Sequence, residues 1–431
     1  MKLVRFISFI IILYSGTLVF AQQSNTNLES LSIQQAVALA LENHPALRAA
    51  EAGVRNASAG LTQAKSAYYP SITSTGSYQR TDGAFVFNPD IAPRNQTYDT
   101  YSEALSINET IFDFGKTIGK VSANSNFTEA SFADYDAARQ TVALNAHIAY
   151  LAEVQAIQVE RVDVEAVASA EGHLRQAKAF FSVGTRAKFD VTKAEVDLAN
   201  ANVALITARN NVRLAKLQLE NAMGVHPKSV YSLTDSFDVT PMVMPFDSIR
   251  AITMTTRPEL KSARDRVDAN QSLVTATRGQ HLPTVSAFGT WTWSNFNFPL
   301  FNRWVGGFSV TLPIFQGFSI SAQVDQAQAT ADAAQANLDV LNDQVQTETE
   351  QYYLEMKEAS ERIDATSKLV EQAAENLNLA EKQYSAGVNS VIEVTDAQLS
   401  LSNARIIHIQ ALFDYNSSLI HLKRAMGVLL K

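Results

Sequence analysis

The stretch Gly184-Thr185-Arg186-Ala187-Lys188-Phe189-Asp190-Val191-Thr192 runs on to Ala222-Met223-Gly224. A second stretch, Gly387-Val388-Asn389-Ser390-Val391-Ile392-Glu393-Val394-Thr395, runs on to Ala425-Met426-Gly427. The offset between the two is 203 residues throughout, and it also joins Ile111-Phe112 to Ile314-Phe315 upstream. Two copies at this period are not a solenoid, whose repeats are shorter and more numerous. They imply a duplicated half, each half laid out as helix, hairpin, long helix, turn and helix. The expected division is a signal segment at 1–21 and a first repeat at 22–224, then an inter-repeat linker or equatorial region at 225–250 and a second repeat at 251–431.

The chain has 431 residues and a formal charge of −8. Lys2 and Arg5 precede an apolar run from Phe6 to Phe20, and Val19-Phe20-Ala21 offers a small-residue cleavage site. The alternative is a membrane anchor, but the polar Gln22-Gln23-Ser24 that follows suits an exported chain. Loss of Lys2 and Arg5 with the leader makes the charge two units more negative, which argues against a nucleic-acid partner. There is no cysteine, so neither a disulfide nor a lipid-bearing N-terminal cysteine is expected. Beyond the leader no apolar run is long enough for a transmembrane helix, so a membrane role would rest on β-structure.

Residues 32–68 read as helix, with a bend or restart at His44-Pro45. After Pro70 the texture turns β-branched and polar from Ser71 to Tyr78. Residues 86–98, with Pro89 and Pro93, read as an irregular loop. From Tyr101 to Ile111 the chain alternates, with Glu103 and Glu109 as blemishes on the mostly apolar face. A helical pattern then runs from about Lys116 to Val183. After Asp190, Leu198, Leu205 and Val212 repeat by seven, as do Ala194, Ala201, Ala208 and Ala215. Leucine against alanine at that spacing suits close coiled-coil packing. The second half restarts near Ile252, and Arg257-Pro258 and Pro283 match His44-Pro45 and Pro70 at an offset of 213. The second hairpin is therefore the shorter by ten residues. Val285 to Ser294 and Phe308 to Ile314 alternate as strands, and Phe318 to Ala386 contains neither glycine nor proline. A helix of that length spans roughly 100 Å.

Two hairpins supply four strands, which cannot close a barrel and leave two unpaired edges. Several chains together could close one. Trp291, Trp293 and Trp304 flank the second hairpin, and Tyr78, Phe85, Phe87, Tyr98 and Tyr101 accompany the first. Aromatics at strand ends suit the girdles of an outer-membrane barrel, here expected at Trp291, Trp293, Trp304, Tyr78 and Tyr101. A soluble sandwich with an aromatic core is the competing reading.

This arrangement resembles the TolC-type outer-membrane efflux protein family. The match rests on Leu31-Ser32 to Pro45 with Pro70, on Ile111-Phe112-Asp113-Phe114-Gly115, and on Gly184 to Val191. Their partners are Arg257-Pro258 and Pro283, Pro313-Ile314-Phe315-Gln316-Gly317, and Gly387 to Val394. The resemblance covers nearly the whole chain after the leader. It implies a mixed α and transmembrane β fold, with a trimeric 12-stranded barrel continued by a long periplasmic α-helical barrel. It also implies an outer-membrane location, a homotrimer, and docking to a periplasmic adaptor fed by an inner-membrane transporter. The implied function is a passive export duct of an efflux or type I secretion system. The alternative is a non-channel periplasmic coiled-coil adaptor or scaffold.

Glu393 and Asp396 lie three apart, on one helix face, and six such carboxylates from three copies would ring a narrow mouth. Acidic rings favour cations. In the family the matching positions form the periplasmic constriction. Tyr384 matches an aromatic that braces the closed tip, with Phe181 as its first-half counterpart. The docking tips are expected at Gly184, Thr185, Gly387, Val388 and Asn389. Family members that lock the tip with an arginine carry it in the second turn. Here that position is Asn389, and arginine stands in the first turn as Arg186. Closure through an Asp190–arginine link is therefore open to question, and Lys193 or Arg186 is expected to pair with Glu393 or Asp396. Catalysis finds no support. The seven histidines show no metal-ligand spacing, Gly307-Phe308-Ser309-Val310-Thr311 lacks the second glycine of a nucleophile elbow, and no cofactor fingerprint appears.

Overall fold

The computed structural model describes residues 30–85, 94–225, 231–234, 236–237, 239, 242, 244–388 and 390–430. The expected leader at 1–21, together with Phe87, Pro89, Pro93, Pro227, Pro241 and Asn389, lies outside the described residues.

The first half begins with α1 (Ile33–Asn43) and α2 (Pro45–Lys65). Ser32 opens α1 with a reciprocal cap: its backbone N–H donates to Gln35 Oε1 at 2.8 Å, and the Gln35 N–H donates to Ser32 Oγ. His44 is extended (φ −66°, ψ 126°), as proline demands of the residue before it, so the helix breaks there. Pro45 then sits at the first position of α2, where its missing N–H costs nothing. A hairpin follows, β1 (Ser71–Phe85) and β2 (Arg94–Phe112), then α3 (Lys116–Ser182) and α4 (Lys188–Met223). The second half repeats the plan: α5 (Phe246–Thr256), α6 (Pro258–Arg278), β3 (Thr284–Asn295), β4 (Phe301–Thr311), α7 (Ser319–Ser385) and α8 (Val391–Ala425).

The long helices α3 and α7 have 67 residues each, so each reaches about 100 Å. One end of α3 packs along α4 and the other along α2 and α6. The C-terminus of α4 abuts the N-terminus of α2: a Cβ on Gly224 would meet the His44 Cα at 2.9 Å. The C-terminus of α8 abuts α6 in the same way, since a Cβ on Gly427 would meet the Thr256 carbonyl oxygen at 2.8 Å. Both glycines have positive φ, +68° and +70°. Two short helices thus stack end to end beside each long one. The seven-residue repeats face their neighbours as read: Ala194, Leu205, Ala208 and Ala215 are buried on α4, and Ala331, Leu338 and Val345 on α7.

The core is thickest at the junction of the stacked helices. Leu31, Tyr150, Leu151, Val154, Leu219, Met223 and Phe237 form one cluster there. Tyr150 Oη donates to the Leu31 carbonyl at 2.9 Å. The stretch expected as an inter-repeat linker or equatorial region is partly clasped into this belt, with Leu31 and Leu233 joined by a single parallel β-bridge. Leu429 and Leu430, at the end of the second half, pack on Val37, Ala40 and Val142 of the first. Beside them four charges interlock: Arg257 and Arg424 each meet both Glu259 and Glu348. Desolvated charges of both signs demand such mutual pairing.

The four strands make one antiparallel sheet in the order β1-β2-β3-β4, and among the described residues the outer edges of β1 and β4 have no partner strand. Residues 94–98, expected as loop, are strand, paired with 81–85. That extension is polar, carried by the backbone ladder rather than by side-chain alternation, so period two does not reveal it. The register sorts the side chains. One face carries Ile72, Tyr78, Tyr101, Leu105, Ile107, Trp291, Trp293, Trp304, Phe308 and Val310. The other carries Thr73, Thr75, Ser77, Ser102, Ser106, Thr290, Thr292 and Ser294, with Phe288, Phe301 and Val305 among them, and Ser106 Oγ lies 3.5 Å from Thr290 Oγ1. Glu103 and Glu109 fall on the apolar face, as read. The Ser74 hydroxyl donates to the Glu103 carboxylate, which occupies the space left open by Gly76.

Candidate functional site

The end of the molecule far from the sheet consists of two glycine turns. The α3 helix closes with a left-handed Gly184 (φ +77°); its N–H donates to the Phe181 carbonyl, and the Thr185 N–H donates to the Phe180 carbonyl, both at 3.0 Å. Gly387 (φ +79°) closes α7 in the same way, donating to the Tyr384 carbonyl while Val388 donates to that of Gln383. These are paired 6→1 and 5→2 closures, which need a residue able to adopt left-handed angles. Asp190 and Glu393 then stand in the first turns of α4 and α8, where a carboxylate complements the exposed N–H groups.

Tyr384 is buried between the two turns, with Ala380, Val391, Val394 and Ala397 around it. Its ring meets that of Phe180 edge to face, 6.0 Å between centroids. The expected counterpart, Phe181, is instead exposed. The Arg186 guanidinium lies 5.1 Å from the Tyr384 ring centroid. Burial raises the Tyr384 phenol pKa; the Asp190 charge adds to the rise and Arg186 opposes it. Tyr384 Oη is buried without a hydrogen-bond partner.

Glu393 and Asp396 are both exposed, on the side of α8 opposite Val391, Val394 and Ala397. Among the described residues neither forms an ion pair within the chain. Lys193, expected to pair with one of them, turns to Asp197 one helical turn along α4. Asp197 also accepts a hydrogen bond from Thr395 Oγ1 at 2.9 Å, which ties α4 to α8. Sequence reasoning missed this link, although the i,i+4 spacing of Lys193 and Asp197 was the signal. Lys178–Glu195 (3.3 Å) ties α3 to α4, and His173 of α3 lies 3.8 Å from Glu381 of α7, with its pKa lowered by burial. Of the expected docking positions, Gly184, Thr185, Gly387 and Val388 are exposed at the extremity, joined there by the apolar Val183 and Phe189.

The expected girdle residues share one face of the sheet. Trp291 and Trp304 face each other across β3 and β4, 6.3 Å between ring centroids. Tyr78 and Tyr101 do so across β1 and β2 at 5.3 Å. At the helix-proximal end, Ile111, Phe112, Ile314, Phe315 and Phe318 form a second exposed apolar belt. Among the described residues no helix is long and apolar enough to cross a membrane, and no group of three potential metal ligands occurs.

The sequence profile of a family described as "Outer membrane efflux protein" matches residues 36–225 and 253–428. The outer membrane efflux protein BepC of Brucella suis biovar 1 is 25% identical over 407 residues, which is 94% of this chain and 86% of that protein. The outer membrane protein TolC of Escherichia coli is 24% identical over 402 residues, 90% of this chain and 80% of that one. The crystal structure of the Campylobacter jejuni CmeC outer membrane channel superposes with a TM-score of 0.83 at 22% identity, covering 92% of this chain and 86% of that one.

Proposed function

The chain belongs to the outer membrane efflux protein family, channel proteins of the outer membrane rather than enzymes, and we propose that three copies of it close a passive duct through that membrane. One observation carries this reading: a two-faced sheet, aromatic-rich on one side and hydroxyl-rich on the other, with the outer edges of β1 and β4 unpaired among the described residues. An open sheet edge cannot stand in hydrocarbon, because each unmatched N–H or C=O costs several kcal/mol there. Pairing β4 of one copy with β1 of the next satisfies both edges. Three copies give twelve strands, a number that closes a barrel with an apolar outside and a polar inside.

The long helices then continue the wall into the periplasm, and the glycine turns form its far mouth. Glu393 and Asp396 of three copies line that mouth as a ring of six carboxylates, which favours cations. Tyr384 and Arg186 hold the turns against one another, Lys193 holds the Asp197 that accepts from Thr395, and Asp190 stands in the first turn of α4. The exposed Val183, Phe189 and Val388 beside Gly184, Thr185 and Gly387, with Asn389 next in sequence, suit docking to a periplasmic adaptor. An inner-membrane transporter supplies the energy, so the chain serves an efflux or type I secretion assembly. The test is extraction in detergent, followed by electrophoresis with and without heating and by planar-bilayer recording. The expected result is a trimer that heat dissociates and that conducts. A folded, non-conducting monomer overturns the reading.

A further inference from the structure

The sheet register separates charge as well as polarity. Among the described side chains of the four strands, Arg80, Asp82, Asp99, Glu103 and Glu109 all lie on the aromatic face. Among the described side chains, the hydroxyl-rich face carries one charge, Arg303. It stands in the row Thr75–Ala104–Thr292–Arg303, between the rows that hold Trp304 and Trp291 and those that hold Asn302 and Trp293. Its side chain is exposed, and among the described residues no carboxylate faces it. Arg80, in contrast, has Asp99 beside it at 3.8 Å.

Arg303 is eight residues along β4 from Thr311, the base of the sheet. At about 3.4 Å per residue and a tilt of about 40°, that places it about 20 Å above the base. This is the level of the tryptophan girdle, at the far side of a band about 25 Å tall.

Resting on the reading of the chain as one third of a barrel, we infer that Arg303 from three copies forms a cationic ring inside the outer mouth. It attracts the anionic groups (carboxylate, phosphate or sulfonate) of solutes leaving the duct. Twelve strands about 4.8 Å apart and tilted by about 40° put the wall at a radius of about 12 Å. A guanidinium reaching inward from that wall stands within a Debye length, about 8 Å at physiological salt, of the axis. Its field therefore reaches a passing ion. The duct then has opposite charge at its two ends: six carboxylates at the periplasmic mouth and three guanidiniums at the exit. Solutes are selected at the entrance by one sign and drawn out by the other.

The absence of cysteine from the chain makes the test clean, because Arg303→Cys carries its sole thiol. Purified trimers of the full chain are recorded in a planar bilayer under a potassium chloride gradient. For Arg303→Glu the cation-to-anion permeability ratio rises by about two-fold or more over wild type, as an added acidic ring requires. Arg303→Cys rises less. A trimethylammonium-bearing methanethiosulfonate returns it toward wild type, and a sulfonate-bearing one drives it toward Arg303→Glu. The neighbouring Trp304→Cys reacts with a lipid-soluble maleimide and not with either charged reagent. If trimers conduct but selectivity stays unchanged in every Arg303 variant, the ring is overturned and the duct stands. Arg303→Cys that reacts only from lipid also overturns it, because the faces are then reversed. Wild-type trimers that fail to conduct overturn the duct and the ring together.

Discussion

The Arg186 guanidinium, in the first glycine turn, lies over the ring of Tyr384, which ends the helix before the second turn, 5.1 Å from its centroid. One contact therefore fastens the two hairpins of a single copy to each other. A cation over an aromatic face is worth about 0.5–2 kcal/mol, more when water is kept away. The ring is also the cap of a buried apolar cluster, so the contact and the packing act on the same joint.

Arg186→Ala is expected to loosen the tip and raise single-channel conductance several-fold, because it removes the cation and keeps the ring. Tyr384→Ala does the same more strongly. Tyr384→Phe keeps both the ring and the packing, and its hydroxyl has no partner to lose. Removing an unsatisfied buried hydroxyl relieves a cost of about 1–3 kcal/mol. Conductance of Tyr384→Phe at the wild-type level, with equal or higher thermal stability, is the expected outcome. A large rise in conductance for Tyr384→Phe would show that the hydroxyl, not the ring, holds the mouth.

Glu393→Gln with Asp396→Asn leaves the helix face neutral and isosteric. The expected effect is a clear fall in cation preference, read from the reversal potential in a salt gradient, with the trimer intact on unheated gels. Unchanged selectivity would remove these carboxylates from the constriction.

The four turn glycines are not equivalent, and alanine substitution separates them. Gly184 and Gly387 need left-handed angles, but a Cβ there meets nothing within 4 Å. Alanine at either costs about 1–2 kcal/mol from the backbone alone. At Gly224 and Gly427 the added carbon also drives into the backbone of His44 or of Thr256 and Arg257. Their melting temperatures in detergent should fall further than those of the tip variants. Equal losses at all four sites would mean that the helix ends are not held in contact.

Glu153 supplies a pH test. It is buried, accepts a hydrogen bond from Tyr231 Oη at 3.1 Å, and its pKa is raised by burial. The folded chain therefore holds this proton more tightly than the unfolded chain does. Between the unfolded and the raised folded pKa, stability falls as pH rises. Glu153→Gln keeps an acceptor for Tyr231 and discards the buried charge. Its melting temperature should exceed wild type at pH 7 to 8, and the gain should shrink toward pH 5. The half-buried His147 and His421 carry pKa values lowered by desolvation, so they oppose this trend as pH falls below the ordinary histidine value. A gain that is the same at every pH would assign the effect to packing instead.

The long rods were legible because alanine and leucine recur by seven over many turns, and the same residues are buried in the structure. The hairpins were legible where one face is apolar. They were not where Arg94 to Tyr98 pair with residues 81–85, because this segment carries no apolar alternation. At the tip, the 203-residue offset points from Tyr384 to Phe181, yet Phe180 makes the contact. The two helices are in phase here, since Ala177 and Ala380 stand at the same offset and are both buried, but Phe181 points outward and its neighbour Phe180 fills the space beside Tyr384. The buried Ala177, three residues before Phe180 on α3, marks the face that turns inward. Lys193 was misdirected for a related reason: a partner four residues along the same helix outcompetes one on another element.

The end-to-end contacts at Gly224 with His44 and at Gly427 with Thr256 have a mechanical meaning. Only α3 and α7 run unbroken past that level, so they alone carry tension along the shaft through unbroken backbone. The stacked helices beside them transmit thrust, and at the α8–α6 seam they resist being pulled apart through side-chain bonds, Arg424 to Glu259 and Thr256 to the Met426 carbonyl, rather than through a continuous backbone. Each rod thus behaves like a continuous beam splinted by two abutting struts. It is stiff in compression and yields most readily where the struts meet. A pull on the tips would be felt first at this seam, well below the barrel, and the strands above it would be spared the load.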